Sequence, residues 1–305
     1  MPMDLLTLLA NSLYNALFTE HQGLNNSMSK LAPSIKLIQE VQPQLLINNA
    51  AASARISLFG GQVLSFIPRH DGRERLWLSN KAVWDGSQSL RGGVPVCWPW
   101  FGQHPDGQHP AHGFVRNRLW QCLESSDTEN SSSLILSPTD SQGAGFDGLA
   151  SLTLSITVGS ELNIKLITTN LGTRSFIYTC ALHSYFNVQD ISEVELDGLS
   201  GKYADKLSGF KLFDTPNPYR FTTETDRIHL NPHRKVSIIE KGLKTVVNSE
   251  GHDSIVVWNP WQQNSIQLND MDNDGYKYML CVETAVTKGK SIKPGDQHVI
   301  EQTIN

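Results

Sequence analysis

The chain has 305 residues, a formal net charge of −5 and a pI of about 6.0. That length buries a full core without staples, as one large all-β unit or as two ordinary domains. The acidic balance leaves no basic stripe for a phosphate backbone, which argues against a nucleic-acid binder, while a local pair of arginines still suits one small anion.

Residues 4–18 place Leu5, Leu8, Leu9 and Leu13 at helical spacing, which predicts a short amphipathic N-terminal helix. A polar linker follows, from Glu20 to Lys30. From about residue 36 the pattern turns to strands. Ala54–Phe59, Gly60-Gly61 and Val63–Ile67 read as strand, turn, strand. Leu152–Val158 alternates apolar and polar residues, Gly159-Ser160 turns, and Leu162, Ile164 and Leu166 lead on to Asn170. Val236–Ile239 and Ser254–Trp258 are further strands, and helical periodicity is scarce after residue 30. The expected organisation is a helical extension and linker over 1–35 and an all-β antiparallel sandwich or barrel over 36–305. The stretches 97–112 and 201–227 read as long loops of the kind that carry function.

Two strand-like runs hold an ionisable residue in apolar company. His183 lies in Ala181-Leu182-His183-Ser184-Tyr185-Phe186, and Glu283 in Met279-Leu280-Cys281-Val282-Glu283-Thr284. Such groups are rarely buried unless satisfied or used there. An imidazole and a carboxylate, both partly desolvated, are what proton transfer near neutral pH requires. Leu90-Arg91-Gly92-Gly93-Val94-Pro95 and His112-Gly113-Phe114-Val115-Arg116 add two arginines and a glycine pair. The glycines allow close backbone approach to a ligand, and Arg91 and Arg116 offer bidentate bonds to phosphate or carboxylate; surface arginines paired to acids are the plainer alternative.

His104, His109 and His112 crowd one loop, but their spacing matches no zinc ribbon or helical His-x-x-x-His pair, so no metal is expected. Trp98, Trp100, Phe101, Trp258 and Trp261 frame these motifs, and most of them read as core. Cys97, Cys122, Cys180 and Cys281 form no Cys-x-x-Cys pair and read as reduced, buried thiols. There is no phosphate loop and no Gly-x-Ser-x-Gly elbow. Glycoside hydrolysis needs a second buried acid, and Asp226, in Glu224-Thr225-Asp226-Arg227, has a loop-like setting. No apolar run approaches the ~20 residues of a membrane helix. An acid stands where a signal peptide is basic, so a cytoplasmic protein is expected.

Together these stretches resemble the aldose 1-epimerase superfamily, and more closely its hexose-6-phosphate mutarotase branch (glucose-6-phosphate 1-epimerase). The resemblance rests on Asp85-Gly86-Ser87 with Leu90–Pro95, His112–Asn117, Leu182–Phe186, Glu224-Thr225-Asp226, Val256–Trp261 and Cys281-Val282-Glu283, in family order. It implies a large antiparallel β-supersandwich of the galactose mutarotase-like kind. It implies His183 as general acid and Glu283 as general base, Arg91 and Arg116 on the phosphate, and His112 and Asp226 on sugar hydroxyls. Two positions depart from the pattern: Ala111 stands where the family often has Gln, and Thr284 where it often has Pro.

The implied reaction opens a pyranose ring and recloses it on the other face of C1, with no metal or cofactor. The expected partner is a small-molecule sugar phosphate, without nucleic acid or membrane, and a monomer is compatible with this. The rival readings are a mutarotase for free aldoses, a non-catalytic carbohydrate-binding protein on the same fold, and a glycosidase.

Overall fold

Alternating sequences dominate the chain, and alternation puts every second side chain on the same face of a strand. The computed structural model describes residues 31–305, so the helix expected over 4–18 and the polar stretch 20–30 lie outside the described residues. Within them, the strands form three sheets, and the strand pairs within each are antiparallel. A four-stranded meander runs Ile35–Gln39, Pro43–Asn48, Ala52–Ser57 and Gln62–Pro68. A nine-stranded sheet includes Ala150–Val158 and Leu162–Asn170, both with strictly alternating burial. An eight-stranded sheet carries Val96–Cys97, Phe176–Leu182, Met279–Ile292, Ser254–Asn259, Thr225–His229, Lys202–Asp205 and the edge strand Lys211–Asp214, with Tyr185–Asn187 also pairing to Met279–Ile292.

The strands expected at 54–59, 63–67, 152–158, 162–170, 236–239 and 254–258 are present, with ends shifted by a few residues. The turn at Gly60-Gly61 has both residues at positive φ, 82° and 60°, as two glycines allow. One hydrophobic cluster joins the three sheets, with Leu152, Leu154, Ile156, Ile164, Leu166, Val282 and Phe66 all within it. Each fully buried side chain of this size contributes about 1.5–3 kcal/mol. Trp98 and Trp120 are core, and their indole N–H groups are satisfied by Thr168 Oγ1 at 3.1 Å and the Val115 carbonyl at 3.0 Å.

One expectation fails here. The stretch 201–227 is not a long loop but contains the strands Lys202–Asp205, Lys211–Asp214 and Tyr219–Arg220. Its sequence does not alternate because Lys211–Asp214 lies at the sheet edge with all four residues exposed, so neither face demands apolar side chains. Among the described residues the one α-helix is Trp261–Gln267, and none is long and apolar enough to cross a membrane.

Candidate active site

The strand Met279–Ile292 lies inside the eight-stranded sheet, and its first half is buried on both faces. Leu182 pairs opposite Thr284 and Tyr185 opposite Cys281. His183 and Ser184 fall in the break between those two partner strands, level with Val282 and Glu283. The His183 N–H donates to the Pro95 carbonyl at 3.0 Å, which fixes the break against the Arg91 segment. His183 Nε2 then stands 3.5 Å from Glu283 Oε1. Glu283 is 1% exposed and His183 9%. Their other polar atoms, His183 Nδ1 and Glu283 Oε2, are buried and have no hydrogen-bond partner among the described residues. Buried polar atoms without partners are rare, and two on facing residues mark a place built for a ligand.

Aromatic rings wall this pair. Tyr185 stacks on His183 at 4.9 Å and 12°, while His112, Trp258 and Phe101 approach it edgewise at 5.5, 6.2 and 6.4 Å.

Arg91 is already engaged. Its Nε is 3.1 Å from both Asp270 oxygens and its Nη1 donates to Tyr185 Oη at 3.2 Å. Asp270 follows the helix Trp261–Gln267, which Asn259 anchors by donating to the Met279 and Tyr276 carbonyls, each at 2.8 Å. Arg116 sits in the short turn Val115–Asn117 and is in no ion pair among the described residues. Its charge acts on His112, His183, Glu283 and Cys97 together. His112 adopts φ 66°, and its Nδ1 accepts from the Gly102 N–H at 3.3 Å. That bond assigns the ring proton to Nε2, leaving it as a donor.

Asp226 corrects its loop-like reading. It lies on the strand Thr225–His229 opposite Trp258, mostly buried, with its carboxylate 2.6 Å from Lys206 Nζ. Gly92 and Gly93 have φ of 126° and 59°, and a Cβ on either would overlap the backbone of Trp77 or Val63. Their positive φ needs glycine, their close approach is to the protein's own chain, and it seats Arg91 beside the site.

Burial sets the charge states. Desolvation first, then the His112, Arg116 and Arg91 charges, pushes His183 well below the ordinary imidazole value. Desolvation first, then Asp226, pushes Glu283 well above the ordinary carboxyl value against the pull of Lys206 and Arg116. Desolvation raises Asp226 too, opposed by Lys206. His112 is pushed down to about 3 by burial and by Arg116, Lys206 and Arg91. Strong shifts of two facing groups in opposite directions are a signature of proton-transfer sites. His183, Cys281 and Glu283 also bring one ligand atom each within 4.8 Å of one another. Desolvation and Glu283 raise the Cys281 thiol well above its ordinary range, and a thiol and a carboxyl both pushed towards their protonated forms make a poor cation site.

The structure thus gathers His183, Glu283, His112, Arg91, Arg116 and Asp226 around one spot. It adds Lys206, Asp270 and the Tyr185 hydroxyl, which sequence reasoning did not single out. Tyr185 was within reach as the aromatic two residues beyond His183. Asp270 is 179 residues from Arg91 and no local pattern marks it.

Residues 43–305 match the family model described as aldose 1-epimerase. A protein of Cenchrus ciliaris, provisionally named glucose-6-phosphate 1-epimerase, is 35% identical over 88% of this chain and 86% of its own. An Escherichia coli protein with the same provisional name is 34% identical over 85% of this chain and 92% of its own. Among solved structures, a Salmonella typhimurium protein provisionally described as a mutarotase superposes with a TM-score of 0.84, at 31% identity over 94% of this chain and 98% of its own. A galactose mutarotase-like protein of Lactobacillus casei, at 14% identity and a TM-score of 0.66 over 86% of this chain and 99% of its own, shares the fold. With its antiparallel sheets and its buried imidazole–carboxyl pair, the chain belongs to the aldose 1-epimerase family.

Proposed function

We propose that this enzyme interconverts the α and β anomers of a hexose 6-phosphate, glucose 6-phosphate first among them, by acid–base ring opening and closure. The observation that carries this reading is the His183 Nε2–Glu283 Oε1 contact of 3.5 Å, buried, with Arg116 in no ion pair nearby. Neutral imidazole with carboxylic acid, and imidazolium with carboxylate, contain the same number of protons. The resting pair favours the first form because burial penalises charge. Sugar hydroxyls bring polar contacts to the buried oxygens and nitrogens, and one internal proton transfer then produces the second form without exchange with solvent.

In that form the Glu283 carboxylate takes the proton of the C1 hydroxyl while His183 protonates the ring oxygen. The C1–O5 bond breaks and the C1 oxygen becomes an aldehyde. Rotation about C1–C2 presents the other face, and closure reverses both transfers, restoring the pair. His112 Nε2–H and Asp226 hold sugar hydroxyls. The phosphate carries nearly two negative charges at pH 7, and Arg116 and Arg91 anchor it away from C1 so that the ring end is free to turn. The chemistry uses no cofactor. The catalytic unit is the β domain from about residue 36, and we place the enzyme in the cytoplasm, where sugar phosphates are metabolised.

Asp226 supplies the second acid that a glycosidase requires, but its carboxylate is committed to Lys206 at 2.6 Å, and the family assignment favours epimerisation. Anomer-exchange NMR with glucose 6-phosphate, glucose and galactose in parallel tests the proposal. Exchange is expected for the phosphate ester far above the two free sugars. Equal exchange for all three would mean a general aldose mutarotase, and absence of exchange a binding protein on the same fold.

A further inference from the structure

A second cluster of titratable side chains lies in the loop between Trp100 and His112, at a place the mutarotase chemistry does not use. His104, Asp106 and His109 each direct one donor atom to a common point, all within 4.8 Å of one another. His104 Nδ1 lies 2.6 Å from Asp106 Oδ1, and His109 Nε2 lies 3.3 Å from Asp106 Oδ2. The carboxylate therefore bridges two imidazoles that stand edge to face at 4.7 Å.

Three observations show that the arrangement is held in place. His104 Nε2 contacts the Gly145 carbonyl at 3.1 Å, and a carbonyl only accepts, so Nε2 carries the proton. In the neutral ring this leaves Nδ1 with one long contact from the Asp106 N–H at 3.4 Å while it faces the Asp106 carboxylate at 2.6 Å, two acceptors side by side that a cation would bridge. An imidazole whose far nitrogen donates to a backbone carbonyl is also the usual support of a metal-bound histidine. Second, the loop at Gly145 packs on His109 so closely that a Cβ there would lie 2.6 Å from His109 Cδ2. Third, Trp100 packs against both imidazoles, at 4.6 and 5.8 Å, and its indole N–H donates to the Pro110 carbonyl at 2.9 Å, closing the loop.

We propose that His104, Asp106 and His109 form a binding site for a zinc-type divalent cation, distinct from the catalytic pair. Two imidazoles and one carboxylate are the donor set of such ions, with the fourth position left to water because Asp106 is solvent-accessible. The ion would clasp the loop whose far end is His112, so its role is to hold that residue's backbone in register. It takes no part in proton transfer.

Isothermal titration of chelator-treated, full-length protein with zinc chloride decides the matter. One equivalent is expected to bind. Asp106→Asn and His109→Ala are each expected to weaken binding by about tenfold or more, while His183→Ala binds as the parent does. Circular dichroism establishes that each variant is folded. No uptake by the parent protein overturns the proposal, as does binding that survives both loop substitutions. Zinc uptake lost in His183→Ala but kept in the loop variants would assign the ion to the catalytic cluster and overturn it equally. None of these outcomes depends on whether the enzyme epimerises sugar phosphates.

Discussion

Replacing Glu283 by glutamine keeps the size and shape of the side chain and removes only its ability to exchange a proton. Glu283 is 1% exposed, with His183 Nε2 at 3.5 Å facing one carboxyl oxygen and no hydrogen-bond partner on the other. Loss of a positioned acid or base costs about 10²–10⁴ in rate, which is about 2.7–5.4 kcal/mol of barrier. Stability moves in the opposite direction. Desolvation raises the folded carboxyl well above its ordinary value, so the folded state binds this proton more tightly than the unfolded chain does. Wild-type stability therefore declines as pH rises from the unfolded value of about 4.3 towards the raised folded one. Glu283→Gln has no such proton to lose, so its urea midpoint should equal or exceed wild type at pH 7–8 while anomer exchange collapses. Near wild-type exchange in the folded variant, or a midpoint well below wild type, would refute the reasoning.

The arginines should separate by their partners. Arg116→Ala is expected to weaken glucose 6-phosphate about tenfold to a hundredfold, the value of about 1.5–3 kcal/mol for a hydrogen bond to a charged group, with little effect on any free-glucose activity. Arg91→Ala should show a stability loss as well, because it strips Asp270 of its partner; parallel titrations and urea melts distinguish the two. Acid should destabilise the fold through its buried histidines. His112 and His229 are pushed down to about 3, chiefly by burial, and His183 shifts in the same direction. A group whose folded value is depressed binds fewer protons when folded, so its contribution is present above the unfolded value of about 6.5 and is lost as pH falls below it. At pH 5 this is about 2 kcal/mol for each of His112 and His229, read as a lower urea midpoint at pH 5 than at pH 7, and His229→Asn should remove its own share of about 2 kcal/mol from the drop. Chelation should not abolish anomer exchange, because the proposed proton-transfer pair needs no metal, and any loss should come as weaker sugar binding through the loop that carries His112; a collapse of kcat at saturating substrate with EDTA, restored by zinc, would place a metal in the chemistry.

Local pattern was enough to find the strands, because period-two alternation is imposed wherever one face is buried, as at Leu152–Val158 and Leu162–Asn170. It was also enough to single out His183 and Glu283, since an ionisable residue inside an apolar run must be satisfied or used. The run of family motifs from Arg91 to Glu283 carried the family and the expected reaction. What the sequence could not supply was pairing across space. The edge strand Lys211–Asp214 has no apolar face, so nothing in its residues announced a strand, and Asp226, two strands in from that edge, read as loop until it was seen opposite Trp258. Asp270 reaches Arg91, and Lys206 reaches Asp226, only because the sheet folds distant segments together. The charge state of the His183–Glu283 pair was equally out of reach. Ordinary values give an imidazole and a carboxylate near neutral pH, whereas burial on both faces of the first half of the Met279–Ile292 strand, in a wall of rings, pushes the carboxyl towards its protonated form and the imidazole towards its neutral one. Sequence fixes which groups are present; desolvation and the field of neighbouring charges, which exist only once the chain is folded, decide where the proton rests.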